Sequence, residues 1–217
     1  MSADASVDKK VLLEIVKELS QSVREYLSSH KNYGTIIARK QWDETRKIDV
    51  VVENLFEHSL SRREISARII SEEFGDRIFG SSPSGTFILD PIDGSTNLSH
   101  NIPFFCTSLA YSSKIKDVTF DDVETAAVAW IVENKVYHAV KDGGAYADGE
   151  RLHSRGRKNE PKPVYSIYTY GVPYVLKEMT DIQKRAIIRT LGSVALELCF
   201  VADGKIDALI DLSLIHI

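Results

Sequence analysis

Asp90-Pro91-Ile92-Asp93-Gly94-Ser95-Thr96-Asn97 sets two carboxylates three residues apart around a proline, then adds a glycine, two hydroxyls and an amide. Carboxylates held close together repel, so a buried pair calls for a cation. An all-oxygen donor set selects a hard ion such as Mg²⁺. Gly94 lets the backbone approach a ligand closely. Ser95 and Thr96 are favoured at helix N-termini, where free N–H groups bind phosphate. The stretch therefore offers metal ligands beside a phosphate cradle. The plainer alternative is an Asx-type turn that caps a helix with both acids in water.

Working outward, Thr86-Phe87-Ile88-Leu89 runs straight into Asp90, and Ala67-Arg68-Ile69-Ile70 runs into Ser71-Glu72-Glu73. Short β-rich runs bounded by polar clusters read as strands. Both deliver carboxylates at their C-terminal ends, where open α/β sheets bind ligands. Upstream, Leu12, Ile15, Val16, Leu19, Val23 and Leu27 recur at helical spacing, which predicts a helix from Val7 to Ser29. A polar loop or loose hairpin follows, up to Arg46. A second helix carries Ile48, Val51, Val52, Leu55, Phe56 and Leu60 on one face, with Asp49 and Glu53 one turn apart beside it.

Downstream, Phe104 to Ser113 reads as a strand, and Thr125 to Val132 with Lys135 to Lys141 as a hairpin turning near Glu133-Asn134. Asp142-Gly143-Gly144 and Asp148-Gly149 mark turns. Arg155 to Pro163 is basic and Pro-flanked and reads as a surface linker, the one candidate domain boundary. Val164 to Tyr168 is a predicted strand and Asp181 to Arg189 a short helix. Gly192-Ser193 precedes a helix from Val194 to Ala202, and Asp207 to Asp211 starts a strand. The alternation makes the fold class α/β.

Of the 217 residues 43% are apolar and 27% charged, as in ordinary globular proteins. The net charge of −4 gives no electrostatic footprint for nucleic acid or an anionic membrane. Met1 to Lys10 has no apolar signal-peptide core. The longest wholly apolar run, Ala126 to Val132, is too short to span a bilayer. Cys106 and Cys199 lack CxxC spacing and read as reduced core thiols of a cytoplasmic protein. His58, His100, His138 and His153 have no ligand spacing and read as surface groups. Tyr165, Tyr168 and Tyr170 fit a sugar pocket, although strand alternation explains them as well.

The segment 90–97 resembles the signature of the inositol monophosphatase superfamily, which includes fructose-1,6-bisphosphatases and 3′-phosphonucleotide phosphatases. Ser71-Glu72-Glu73 is similar to that family's acidic metal motif, and Asp49 to its upstream aspartate. Arg189-Thr190-Leu191-Gly192-Ser193-Val194-Ala195-Leu196-Glu197-Leu198-Cys199, with Val201 to Ala208, is similar to the block ahead of the family's last metal ligand. The wording Glu197 to Gly204 resembles the archaeal dual-activity inositol monophosphatase/fructose bisphosphatases. A haloacid-dehalogenase-type phosphatase uses D-x-D, whereas the spacing here is D-x-x-D.

The resemblance implies a layered α-β-α-β-α sugar-phosphatase fold. Residues 1–160 would be an N-terminal α+β region with the metal and phosphate site, and 161–211 the start of a C-terminal α/β region. It implies a Mg²⁺-dependent phosphomonoesterase that uses metal-activated water on inositol-1-phosphate or fructose-1,6-bisphosphate. A 3′-phosphonucleotide phosphatase, or a catalytically inactive metal-binding fragment, is the alternative. Glu72, Asp90 and the Ile92 carbonyl would hold one Mg²⁺, and Asp90 and Asp93 would share a second. Asp49 and Glu72 would lie near a third. Glu72 would orient the water, and Ser95, partnered by Asp49, would hydrogen-bond it. Asp93, Gly94, Ser95, Arg189, Gly192 and Ser193 would contact a small phosphorylated sugar or inositol, in a homodimer at full length. The family's last metal ligand lies beyond the predicted strand at 207–211, so the expectation is a C-terminally truncated fold. Leu212 to Ile217 matches the translation of a transposon-adapter end and is expected to be a non-native tail.

Overall fold

A computed structural model describes residues 7–32, 34–39, 44–153, 162–169 and 176–212. The first helix, α1 (Lys9–Ser29), starts where Asp8 accepts the Val11 N–H at 2.9 Å, and it buries Leu12, Ile15, Val16, Leu19 and Val23. β1 (Ile36–Arg39) and β2 (Glu44–Arg46) pair as a hairpin, the second of the two forms the polar segment allowed, and α2 (Lys47–Arg62) follows at once. The chain then runs through β3 (Ala67–Ser71), β4 (Gly75–Phe79), β5 (Thr86–Asp93), the short helix α3 (Ser95–Ser99) and β6 (Cys106–Ser112). Beyond these come β7 (Thr125–Trp130), β8 (Lys135–Val140), β9 (Gly144–Ala147) and β10 (Glu150–Arg151). The last group is β11 (Val164–Tyr168), α4 (Leu176–Arg185), β12 (Ile187–Arg189), α5 (Val194–Ala202) and β13 (Ala208–Asp211).

Eight strands make one mixed sheet in the order β10-β9-β8-β7-β6-β5-β3-β4, with β3 and β5 its parallel pair. One face is covered by α1, against β6, β7 and β8, and by α2, against β5. Phe87 of β5 is the centre of that contact. Its ring meets Phe56 of α2 edge-on at 5.3 Å and Tyr111 of β6 at 5.0 Å. The opposite face carries α5, which also packs on β13 of a parallel three-stranded sheet ordered β12-β11-β13. From β11 the chain steps one way through α4 to β12, then back across through α5 to β13. Parallel crossovers are right-handed, so the two opposite steps put α4 and α5 on opposite faces of this small sheet. The result is the layered α-β-α-β-α arrangement that the resemblance implies.

Several expectations need correction. β4 has no clear apolar alternation in its sequence and lies on the exposed sheet edge, so the pattern did not reveal it. The predicted helix at Asp181 to Arg189 begins earlier and ends at Arg185, because Ile187–Arg189 pairs with β11. Arg189 therefore ends a strand, not a helix. His138 is buried on β8 and stacks on Tyr146 at 5.0 Å, so it is not a surface group. Most of the predicted linker, Tyr170 and residues 213–217 of the expected tail lie outside the described residues.

Candidate functional site

In a regular strand, residues three apart point to opposite faces. Asp90 pairs with Ser108 and Asp93 with Cys106, so β5 uses three steps where β6 uses two. The extra residue is a β-bulge, and it turns both acids to the face that carries α5. Glu72 lies just past β3, whose parallel register places it beside Asp90; its N–H points to the Leu89 carbonyl at 3.4 Å. Arg77 of β4 fixes this strand end. It donates to Ser71 Oγ at 3.1 Å, to Glu53 at 2.7 Å and to Glu57 at 2.9 Å, tying β3 to α2.

The Glu72 carboxyl lies against that of Asp90. Burial, then the charges of Glu72 and Asp93, hold the Asp90 carboxyl well above the usual range. Asp90 Oδ1 is sealed from solvent and has no hydrogen-bond partner. Asp93 is also raised by burial, but hydrogen bonds oppose the rise. Its Oδ2 accepts the Ser193 hydroxyl and the Ala195 N–H, each at 2.7 Å, so Asp93 caps α5 from another part of the chain. The Cys106 thiol lies 3.8 Å from the same oxygen. Among the described residues, no three acid, imidazole or thiol groups stand arranged to hold a metal ion.

Asp49 sits in the first turn of α2, 3% exposed. Burial lifts its pKa to about 7; the Arg46 N–H opposes the rise, while Glu73 and Glu72 add to it. Asp49 Oδ2 accepts that Arg46 N–H at 2.7 Å. The reason is local: Asp49 is the third residue of its helix and bonds back to the helix start. Ser95 opens α3 behind Gly94, which has φ +93°. A Cβ on Gly94 would lie 3.0 Å from the Phe104 carbonyl oxygen and 3.1 Å from that of Gly192, so two backbone turns meet here.

The second turn is 191–193. Asn97, the last residue of the decisive stretch, donates to the carbonyls of Phe104 and Leu191, both at 2.7 Å. The structure thus brings Gly192 and Ser193 to Asp93, Gly94 and Asn97. Ser193 is fully buried, with its hydroxyl on Asp93. Arg189 is exposed and donates to the Ile188 carbonyl at 2.9 Å. The Ile92 side chain is buried in the core of the large sheet. Sequence reasoning passed over Glu197, a fully buried carboxylate that accepts the Leu191 N–H at 2.9 Å and bonds to Ser166 and Tyr168. Its signal was available: it is the single charge in the otherwise apolar helix Val194–Ala202.

A model of the inositol monophosphatase family matches residues 4–217. This chain belongs to that family. The family is generally metal-dependent. Among similar proteins, the fructose-1,6-bisphosphatase/inositol-1-monophosphatase of Thermococcus kodakarensis is 31% identical, over 94% of this chain and 73% of its own. The bifunctional NADP phosphatase/NAD kinase of Methanocaldococcus jannaschii is 26% identical over 94% of this chain, which spans 40% of that protein's length. The crystal structure of the extragenic suppressor protein suhB from Bartonella henselae has the same fold. Its TM-score is 0.74 at 24% identity, over 91% of this chain and 74% of that one.

Proposed function

We propose that this chain is a phosphoric monoester hydrolase for a small phosphorylated sugar or inositol, with Glu72, Asp90 and Asp93 as its acidic centre and Mg²⁺ as its ion. One observation carries the reading. Glu72 and Asp93 crowd the buried Asp90 carboxyl, whose Oδ1 has no hydrogen-bond partner. Such crowding is costly unless a proton or a cation sits within it. The donors are all oxygen, which fits a hard divalent ion. Glu72, Asp90, the Ile92 carbonyl and the Asp93 oxygen not engaged by α5 are the residues that would hold it. Once bound, the ion lowers the pKa of water and offsets charge on the phosphoryl group.

The chain's own groups supply the rest. Glu72 would orient a water and accept its proton. Ser95 Oγ would hydrogen-bond that water, with Asp49 close to the same acids. The N–H groups of Gly94 and Ser95 would bind the phosphate. Gly192 and Ser193 would face the sugar hydroxyls, and Arg189, exposed nearby in sequence, would steer the anion. Inositol-1-phosphate and fructose-1,6-bisphosphate are the leading substrates, in keeping with the names of the archaeal relatives. Free thiols at Cys106 and Cys199 support a cytoplasmic setting. No described helix is long and apolar enough to cross a membrane.

The test is phosphate release from inositol-1-phosphate, fructose-1,6-bisphosphate and a 3′-phosphonucleotide, with and without Mg²⁺. Mg²⁺-dependent release from the first two, abolished in Asp90→Asn, is expected. Release that ignores both Mg²⁺ and Asp90→Asn would refute the assignment.

A further inference from the structure

Glu197 and Tyr168 lie outside the set of groups that face a ligand, yet they are buried and fully engaged. Glu197 Oε1 accepts the Leu191 N–H at 2.9 Å and the Ser166 hydroxyl, and Oε2 accepts the Tyr168 hydroxyl. The Tyr168 oxygen in turn accepts the Gly192 N–H at 2.9 Å. Two consecutive backbone donors, Leu191 and Gly192, therefore end on one buried Glu–Tyr pair. The next residue, Ser193, and Ala195 beyond it both donate to Asp93 Oδ2 at 2.7 Å. The carbonyl side of the turn is held by Asn97, through Leu191. Gly192 has φ +90°, and a Cβ there would meet Asn97 Nδ2 at 2.7 Å, so the turn has no slack.

We infer that Glu197 and Tyr168 are positioning residues that set the rotation of the Asp93 carboxylate. They do so by fixing the turn 191–193, so that one Asp93 oxygen faces α5 and the other is left for a ligand. Burying a charge inside an otherwise apolar helix is costly, and simple packing of α5 would be served by an apolar side chain. What Glu197 provides is acceptors for three groups on two elements: the turn at Leu191, and Ser166 and Tyr168 of β11. Tyr168 has no other route to the Gly192 N–H than through its hydroxyl. Their part in turnover rests on the hydrolase reading above; their hold on Asp93 does not.

The experiment uses the whole chain. Tyr168→Phe keeps the ring and removes the acceptor for Gly192. Glu197→Gln keeps the shape and replaces one acceptor by a donor, and it decides the question if the first variant does not fold. The readout is the amide proton of Ala195 in ¹H–¹⁵N NMR, which lies downfield while it donates to the Asp93 carboxylate. In parallel, kcat and KM are measured on inositol-1-phosphate at saturating Mg²⁺. The expected result is an upfield move of the Ala195 amide and a roughly tenfold fall in kcat, in line with a lost buried hydrogen bond. A folded variant whose Ala195 amide and kcat both match the parent would overturn the inference. If the parent itself releases no phosphate, the hydrolase reading fails, while the amide shift still decides whether the Glu–Tyr pair orients Asp93.

Discussion

Replacing Gly192 by alanine tests whether the two glycine turns lock the site. Gly192 has φ +90°, and a left-handed conformation costs an L-residue about 1–2 kcal/mol. The new Cβ would lie 2.7 Å from Asn97 Nδ2 and 2.9 Å from its Oδ1. Asn97 cannot retreat without releasing the Phe104 and Leu191 carbonyls, each held at 2.7 Å. Losing two such bonds adds about 2 kcal/mol, for a total of about 3–4 kcal/mol. In a chain of this size each kcal/mol moves the thermal midpoint by about 2–4 °C, so a fall of about 10 °C is expected. Gly149 is the control. It also has φ +90°, but a Cβ there meets nothing within 4 Å, so alanine should cost only the backbone part. Melts followed by circular dichroism compare the two variants with the parent. Equal shifts for both would show that Asn97 yields freely and that the interlock adds nothing.

Asp93→Asn should leave the chain folded but remove most Mg²⁺-dependent phosphate release; near-normal turnover at saturating Mg²⁺ contradicts the role given to its charge. Burial raises Asp49 from 3.8 to about 7, so between these values the folded state keeps a proton that the unfolded chain has released. Stability of the cation-free protein should therefore fall as pH rises from about 4 to about 7, by about 4 kcal/mol at most. Asp49→Asn should flatten that slope in urea melts, and an unchanged slope removes Asp49 as its source. Phe87→Ala, at the ring cluster with Phe56 and Tyr111, should cost about 3–5 kcal/mol by denaturant titration. A loss under about 1 kcal/mol would mean that the core refills around the cavity.

The parts of the fold that the sequence made legible are those with a local signal. Helical periodicity located α1 and α2, and a turn with polar tips located the β7–β8 hairpin. Gly192-Ser193 marked the start of α5. The elements that escaped are set by partners elsewhere. β4 is an edge strand with weak alternation, and β12 is three residues long and takes its identity from pairing with β11. At the site, the acids at 72, 90 and 93 could be chosen from sequence because strand ends and close spacing are local. Their mutual geometry could not. The bulge that turns Asp90 and Asp93 to one face depends on pairing with β6, and the partner of Asp93 is a hydroxyl far along the chain. The partner of Asp49 that the pattern did not reveal is local, the Arg46 N–H at the start of its own helix.

The cap on α5 also bears on how the chain is synthesised. The Asp93–Ser193 bond spans 100 residues. At about 5–20 residues per second, a ribosome needs roughly 5–20 s to make the partner after the acid has appeared. During that interval the large sheet can pair through β10, while Asp90, Asp93 and Glu72 stand together with no helix to take up their charge. The nascent chain therefore carries a bare acidic face beside the apolar surface that α5 later covers. A cation that binds early would neutralise the face before α5 arrives, and would act on the growing chain as a folding ligand.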